Sequence, residues 1–359
     1  MRSLKKTPLN QAHHALRAKM TEFAGWELPA WYTSILAEHR AVRSRAGMFD
    51  VSHMGRLWIA GKEAGDFLDK VLTRSAKQVP QGSSRLCLMC LEDGGILDDL
   101  CLYRLDADRY LLVWNAGNVE QKLNWLLRCA RNFDVVIEDH SPDMMMLAVQ
   151  GPAAWQLKSL EGLSNLPRFG HVQTKVAGKE VFISRTGYTG EDGFELISEA
   201  GNALPLWELF LKQGVEPCGL GARDSLRLEA GLLLYGQDMD TSTNPFEAGL
   251  GWLVDLNRDD FVGRGALLAI KRQGVRRKLI GFRLRGREIA RPGYKILRSG
   301  REVGVVTSGG YAPSLGLSIG LGYVPSELAA VGTDIEIAIR NKLVAAQVVE
   351  RKFYQRGSG

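Results

Sequence analysis

From Lys278 onward the chain breaks into short apolar runs separated by glycine-bearing turns, GREIARPGY, RSGREVG and TSGGYAPSLG. Such spacing leaves little room for helices, and short strands of this kind must close on one another or stack to bury a common face. The pattern predicts a β-barrel or sandwich of about 80 residues. A composition break at Asp255–Gly274, around NRDDFVGRG, separates this tail from what precedes it. Upstream the apolar period changes. It predicts an N-terminal helix, then helices over Ser34–Arg45, Lys62–Leu72, Asn118–Ala130, Leu204–Gln213 and Arg223–Leu234. Strands are expected over Met144–Val149, Val181–Arg185 and Phe194–Ser198. Residues 21–54 read as a Gly/Trp loop, the helix from Ser34 and a short strand, with Ile35, Leu36, Ala41 and Val42 on the buried helix face. A chain of 359 residues implies two or three domains, and no fixed-period repeat is present.

The stretch GGILDDL sets Asp98 and Asp99 inside an apolar run. Leu86–Leu91 and Ile96–Leu105 are strand-length, and Glu92-Asp93-Gly94-Gly95 is turn chemistry, so a β-hairpin is expected. Strand side chains alternate faces. Asp99 then lies with Leu97, Cys101, Tyr103 and Leu105, and Asp98 with Ile96, Leu100, Leu102 and Arg104. The two carboxylates diverge and do not share a proton.

Composition excludes several classes. The chain is 45% hydrophobic and 24% charged, and no apolar run approaches the ~18 residues of a membrane span. The basic N-terminus lacks a signal-peptide apolar core, so a cytoplasmic protein with no membrane role is expected. Gly357-Ser358-Gly359 carries no fold signal. Five cysteines, an odd number, read as reduced thiols, and Cys87-Leu-Met-Cys90 has no second ligand pair for zinc. No metal is expected. Net charge is +6, but Lys271–Glu302 holds twelve Lys/Arg against two acids. That band has only Phe282 and Tyr294 as interleaved aromatics, too few for a nucleic-acid stacking platform. A solvated strand face with a basic linker is the plainer reading of the band, and an acidic protein partner is its functional alternative. There is no P-loop, no complete dinucleotide fingerprint, no G-x-S-x-G elbow and no H-E-x-x-H pair. His13, His14 and His53 read as surface or loop positions with structural roles.

Two further segments concentrate chemistry. In SRTGYTGEDGFEL, glycines let a ligand approach the backbone, Tyr188 offers an aromatic wall, and Glu195 faces away from its neighbours Phe194 and Leu196. A carboxylate so placed can accept two N–H bonds from an aminopyrimidine-type edge. In GLGARDSLRLEAGLLLYGQDMD, Arg223 and Arg227 are four apart on one helix face. One suits an acidic ligand tail and the other an ion pair with Asp224 or Glu229; the pattern leaves open which. An acid in an apolar cleft, an aromatic wall, a second acid and an arginine clamp describe a flat, nitrogen-rich ligand with a carboxylate end. Folate fits that description.

The sequence resembles the glycine cleavage T-protein (aminomethyltransferase) family. The resemblance runs from KKTPLNQAHHALRAKMTEFAGWELPAWYTSI through GMFDVSHMG, GGILDDL, VQGP, SRTGYTGEDGFEL, PCGLGARDSLRLEAGLLLYGQDMD and NPFEAGLGW to GRGAL, TSGGYAPSLGLSIGLGYV and the terminal KFY. SRTGYTGEDGFE and GLGARDSLRLEA are its most specific motifs. It implies an α+β fold: a three-domain cloverleaf around a central folate cavity, with a C-terminal β-barrel domain. The implied domains are 1–55 plus 140–230, 56–139 plus 231–270, and 275–356. The implied reaction moves the aminomethyl carbon of a lipoylated, acidic H-protein to tetrahydrofolate. The alternative donor is a methylated amine or sulfonium, which would make the protein a folate-dependent demethylase. By the resemblance Asp99 is catalytic, Met54 and Asn115 line the pterin pocket, and Tyr188 and Glu195 contact the ring. Arg227 would anchor the folate tail and Tyr354 would touch folate near the C-terminus. Leu86 stands where some members carry tyrosine.

Overall fold

The strand-rich tail closes into a barrel. The computed structural model describes residues 3–357, and Ser358 and Gly359 of the terminal tripeptide lie outside the described residues. Six strands follow one another around the ring: Arg277–Leu284, Leu317–Pro325, Arg301–Ala312, Lys295–Arg298, Asp334–Ile339 and Lys342–Val349. The first pairs with the second on one edge and with the last on the other, which leaves no open edge among them. Alternate residues turn inward: Ile280, Phe282 and Leu284 from one strand, Ile335, Ile337 and Ile339 from another. Phe282 is fully buried, and a Cβ on Gly320 would come within 2.3 Å of its ring. Glycine at that position therefore makes the space the ring occupies.

The chain groups into two compact units. The barrel belongs to one, with residues 68–75, 87–99 and 225–276; the other holds residues 1–67, 76–86 and 100–224. In the latter a six-stranded sheet runs His171–Val176, Lys179–Ser184, Gly193–Glu199, Met144–Gln150, Gly47–Asp50, Glu216–Pro217. One face is the core: Met145, Leu147, Val149, Val181, Ile183, Phe194 and Leu196 pack with Leu206, Trp207 and Phe210 of the helix Ala203–Lys212. A five-stranded sheet orders Ser83–Cys90, Ile96–Arg104, Arg109–Trp114, Gly55–Ala60 and Val136–Asp139. The expected hairpin is present. Its turn closes through Leu91 N–H to Gly95 C=O at 2.8 Å, with Gly94 at φ +88°, a conformation glycine adopts without strain.

Several expectations need correction. The N-terminal helix is short, Asn10–Ala15, and the anticipated Gly/Trp loop is a pair of strands, Lys19–Phe23 and Trp26–Trp31. The helix expected from Ser34 is Ile35–Ser44, with the Ser34 hydroxyl capping Ala37 N–H. Its buried face holds Glu38, His39, Ala41 and Val42, whereas Ile35 and Leu36 are exposed. Glu38 goes inside because three backbone N–H groups, of Tyr32, Thr33 and Gly219, meet its carboxylate. The arginine-bearing helix spans Leu220–Glu229, starting earlier and stopping sooner than its apolar pattern suggested. Gly231, at φ +71°, turns the chain out of it.

Phe282→Ala should cost about 3–5 kcal/mol of stability through the cavity it leaves. Equilibrium denaturation of the two proteins measures this, and a loss below about 1 kcal/mol would show that the barrel core is not packed around that ring.

Candidate functional site

Glu195 owes its position to the period of its strand. Phe194 and Leu196 are drawn into the core, so Glu195 emerges on the opposite face, paired in register with Ala148 and Ser184. Thr186, just beyond the next strand, donates its hydroxyl to the carboxylate. Tyr103 is buried nearby, its hydroxyl 3.3 Å from both Ser184 Oγ and Thr186 Oγ1. Burial raises the Glu195 pKa above the usual carboxylate value, while the Thr186 bond and the charge of Arg223 pull it back. The Arg223 guanidinium lies over the Tyr188 ring, 4.7 Å from its centroid, a cation–π distance. Its Nη1 is buried and has no hydrogen-bond partner among the described residues. Of the two arginines in the helix, Arg223 is the one beside Glu195 and Tyr188.

Arg227 has a different environment. Only 1% of its side chain is exposed, and it donates to Asp238 at 2.6 Å, to Ser308 Oγ at 2.9 Å and to the Leu232 carbonyl. Asp238 also accepts from Thr307, Ser308 and the Leu234 N–H. Glu229 is buried and accepts from the Ser314 N–H and hydroxyl. The Tyr354 N–H donates to the Glu229 carbonyl, which fixes the C-terminal segment against the end of the helix.

The acidic pair divides as the alternation requires. Asp98 is fully buried; Asp99 is half-buried. Both act electrostatically on Tyr235, whose phenol is pushed well up by burial first and by Asp98, Asp240 and Asp99 next. Tyr235 therefore stays a neutral O–H donor at any physiological pH.

Met54 and Asn115 sit in segments held by buried cations that sequence reasoning missed. Arg56 has no exposure and donates to the carbonyls of Ser52, Met54, Ser141 and Met144. Lys122, also fully buried, donates to the Asn115 carbonyl at 2.6 Å and lies 4.9 Å from the Trp114 ring centroid. Neither carries a motif; only the fold reveals them. Gly55, between Met54 and Arg56, cannot be larger, because a Cβ there would fall 1.7 Å from Trp114 Nε1.

His14 is exposed as expected, whereas His13 and His53 are not surface groups. His13 is buried, with Nε2 2.9 Å from Asp50 and Nδ1 2.8 Å from the Tyr32 hydroxyl. Burial alone would raise the Asp50 carboxyl, but the bond and charge of His13 and the Ser52 bond outweigh it, leaving a pKa of about 2. His53 is buried too. Its pKa falls to about 3 through burial and the nearby charges of Arg223 and Arg56, so it is neutral.

This site sits in a mixed α+β chain that ends in a closed six-stranded barrel. The family profile described as "GCVT N-terminal domain" matches residues 9–258, and "Glycine cleavage T-protein C-terminal barrel domain" matches 277–355. The chain belongs to the glycine cleavage T-protein family. It is 48% identical to the aminomethyltransferase of Thermotoga maritima, with 99% of both chains covered, and 44% identical to that of Herpetosiphon aurantiacus, covering 98% and 99%. The crystal structure of glycine cleavage system aminomethyltransferase T from Bartonella henselae superposes with a TM-score of 0.94, at 37% identity and 99% coverage of each chain. The protein is accordingly an aminomethyltransferase. No described helix is long and apolar enough to cross a membrane.

Asp238→Asn should cost about 3–5 kcal/mol of stability, because it strands the Arg227 charge in a buried site. Chemical denaturation checks this. A cost under about 1 kcal/mol would mean that Arg227 finds water or another acceptor without help from Asp238.

Proposed function

We propose that this aminomethyltransferase takes its one-carbon unit from the aminomethyl-dihydrolipoyl arm of an acidic H-protein and passes it to tetrahydrofolate in the cytoplasm. The single observation that carries this reading is Glu195, a carboxylate beside the cation of Arg223 and the ring of Tyr188 in a chain of the T-protein family. An acceptor of this kind suits the amino edge of a reduced pterin. In the proposed reaction the carbon of an S–CH₂–NH₃⁺ group loses its bonds to nitrogen and sulfur and gains bonds to N5 and N10 of folate. Ammonium and a free thiol leave, and the two folate N–H protons go with them.

The residue roles follow the same reading. Asp99 is proposed to hydrogen-bond the folate amine and stabilise positive charge on the migrating carbon. Half-buried, it keeps a strong field and remains reachable. Proton transfer by the same carboxylate is the rival role. Met54 and Asn115 are proposed as pterin walls, Tyr188 and Glu195 as ring contacts, and Tyr354 as a C-terminal folate contact. Arg227 remains the proposed tail anchor, a role that requires its guanidinium, 1% exposed and bonded to Asp238 and Ser308, to open to the ligand. The three-part division into 1–55 plus 140–230, 56–139 plus 231–270 and 275–356 is proposed as the finer partition of the chain.

For docking, we propose the basic band at Lys271–Glu302. Lys271, Arg272, Arg276, Lys278, Arg287 and Arg291 are exposed there, which suits an acidic carrier protein.

Purified protein mixed with aminomethylated H-protein and tetrahydrofolate should release ammonia; release only from a methylated amine or sulfonium would instead support a demethylase. In the first assay Asp99→Asn should lower kcat by at least ~10²-fold with folate affinity little changed. Near-normal turnover would remove Asp99 from the chemistry. Replacing Lys271, Arg272 and Lys278 together by Glu should raise KM for H-protein about tenfold or more and spare folate affinity. An unchanged KM would place the docking surface elsewhere.

A further inference from the structure

We propose that Glu38 is a positioning residue for the aminomethyltransferase site: one oxygen of its carboxylate sets where the helix Leu220–Glu229 begins, and with it where Arg223 stands. The inference rests on the proposal that folate is received beside Glu195 and Arg223, and it goes further by giving a task to a buried acid in a different helix.

Glu38 is fully buried, and its two oxygens have different partners. Oε1 accepts from the Tyr32 N–H at 2.6 Å and the Thr33 N–H at 3.0 Å. Those residues lie just before the helix Ile35–Ser44 that carries Glu38. An acid in a first turn often reaches back in this way to order the start of its own helix. Oε2 does something else. It accepts from the Gly219 N–H at 2.9 Å, 181 residues along the chain. Local capping does not account for that bond.

Gly219 is the residue immediately before Leu220, where the second helix starts. A glycine has no side chain with which to cap. None could be added here, because a Cβ would lie 2.4 Å from the carbonyl carbon and oxygen of Ala30. The carboxylate that meets this helix end therefore comes from another element, and the helix dipole favours an anion there. The Gly219 carbonyl in turn accepts the Arg223 N–H at 3.1 Å. Two successive hydrogen bonds thus join Glu38 to the backbone of Arg223. Burial pushes the Glu38 carboxyl up, and of the three N–H groups that pull it back, that of Gly219 acts most strongly. At the far end of the Arg223 side chain, the guanidinium lies 4.7 Å from the Tyr188 ring centroid and acts on Glu195. A cation–π contact tolerates sliding across the ring, so the backbone decides where along it the charge rests.

The alternative is redundancy. The Cys218 N–H donates to the Met48 carbonyl at 2.8 Å, and Gly219 packs against Ala30. If those contacts suffice, Glu38 contributes stability alone. Glu38→Gln separates the two readings. Its amide has one acceptor oxygen and one NH₂ group. With the oxygen kept on Tyr32 and Thr33, the NH₂ faces the Gly219 N–H, donor against donor. With the amide flipped, two N–H groups are opposed instead, so the bond to Gly219 is the one more readily lost.

Equilibrium binding of tetrahydrofolate, measured well below the melting temperature of every variant, reads the effect. Glu38→Gln should weaken binding about tenfold and raise the KM for tetrahydrofolate in step, with the KM for H-protein unchanged. In an Arg223→Met background the same substitution should move the Kd less than about twofold, because its effect passes through Arg223. A role in stability alone would lower the melting temperature in both backgrounds and move neither Kd. Gly219→Ala drives the same residue off Ala30 and should repeat the pattern. The proposal is overturned if Glu38→Gln binds tetrahydrofolate as wild-type protein does, or if it loses the same factor in both backgrounds. If neither Glu38→Gln nor Gly219→Ala folds, Glu38 is a folding residue and the proposal falls. Wild-type protein that binds no tetrahydrofolate, or Arg223→Met that binds it as tightly as wild type, would sink the reading of the site itself, a distinguishable result.

Discussion

The two-residue period of one strand governs the chemistry available to this protein. Once Phe194 and Leu196 enter the core of the six-stranded sheet, Glu195 has no alternative to the opposite face. A slip of one residue would bury the acid among Leu147, Val149 and Ile183 and expose two large apolar side chains, at a cost no single contact recovers. The position of the carboxylate is thus fixed by hydrophobic burial. Its neighbours then adjust its ionisation: burial raises its pKa, and Thr186 and Arg223 restrain the rise. The result is a poorly solvated carboxyl group whose pKa lies above the usual carboxylate value.

Buried charges elsewhere in the chain are met by hydrogen bonds and ring contacts. Arg56 is surrounded by carbonyls, Lys122 by a carbonyl and an indole ring, Arg227 by an aspartate and a serine, and Glu38 and Glu229 by donors. Each obeys the rule that a charge taken from water must be paid in hydrogen bonds. Arg223 Nη1 and Arg56 Nε are each buried without a hydrogen-bond partner among the described residues.

Periodicity made much of this legible from the residues. Apolar alternation located the barrel strands, the hairpin and the strand of Glu195, and an ST-type cap fixed the start of the helix Ile35–Ser44. Composition of a single segment was less informative where partners come from far along the chain. Asp50 lies thirty-seven residues from His13 and Asp238 eleven from Arg227, and no local pattern announces either pair. His13 looked solvated because its satisfying groups, on Asp50 and Tyr32, belong to other elements. Arg223 and Arg227 looked equivalent for the same reason. Spacing sets them on one face but says nothing of what that face meets, and Asp238 is what separates their roles.

The acidic pair makes the last point. Asp98 and Asp99 are chemically the same and adjacent, so any difference between them is made by the sheet. Alternation seals one completely and leaves the other half-buried. The sealed carboxylate of Asp98 is closed to solvent. A half-buried one is close enough to the low-dielectric interior for its field to be strong, and open enough to be used. Tyr235 keeps its phenolic proton, held first by burial and then by Asp98, Asp240 and Asp99. The hairpin turn at Gly94 fixes the register of the strand that carries both aspartates, so backbone geometry determines which of the two is available for chemistry.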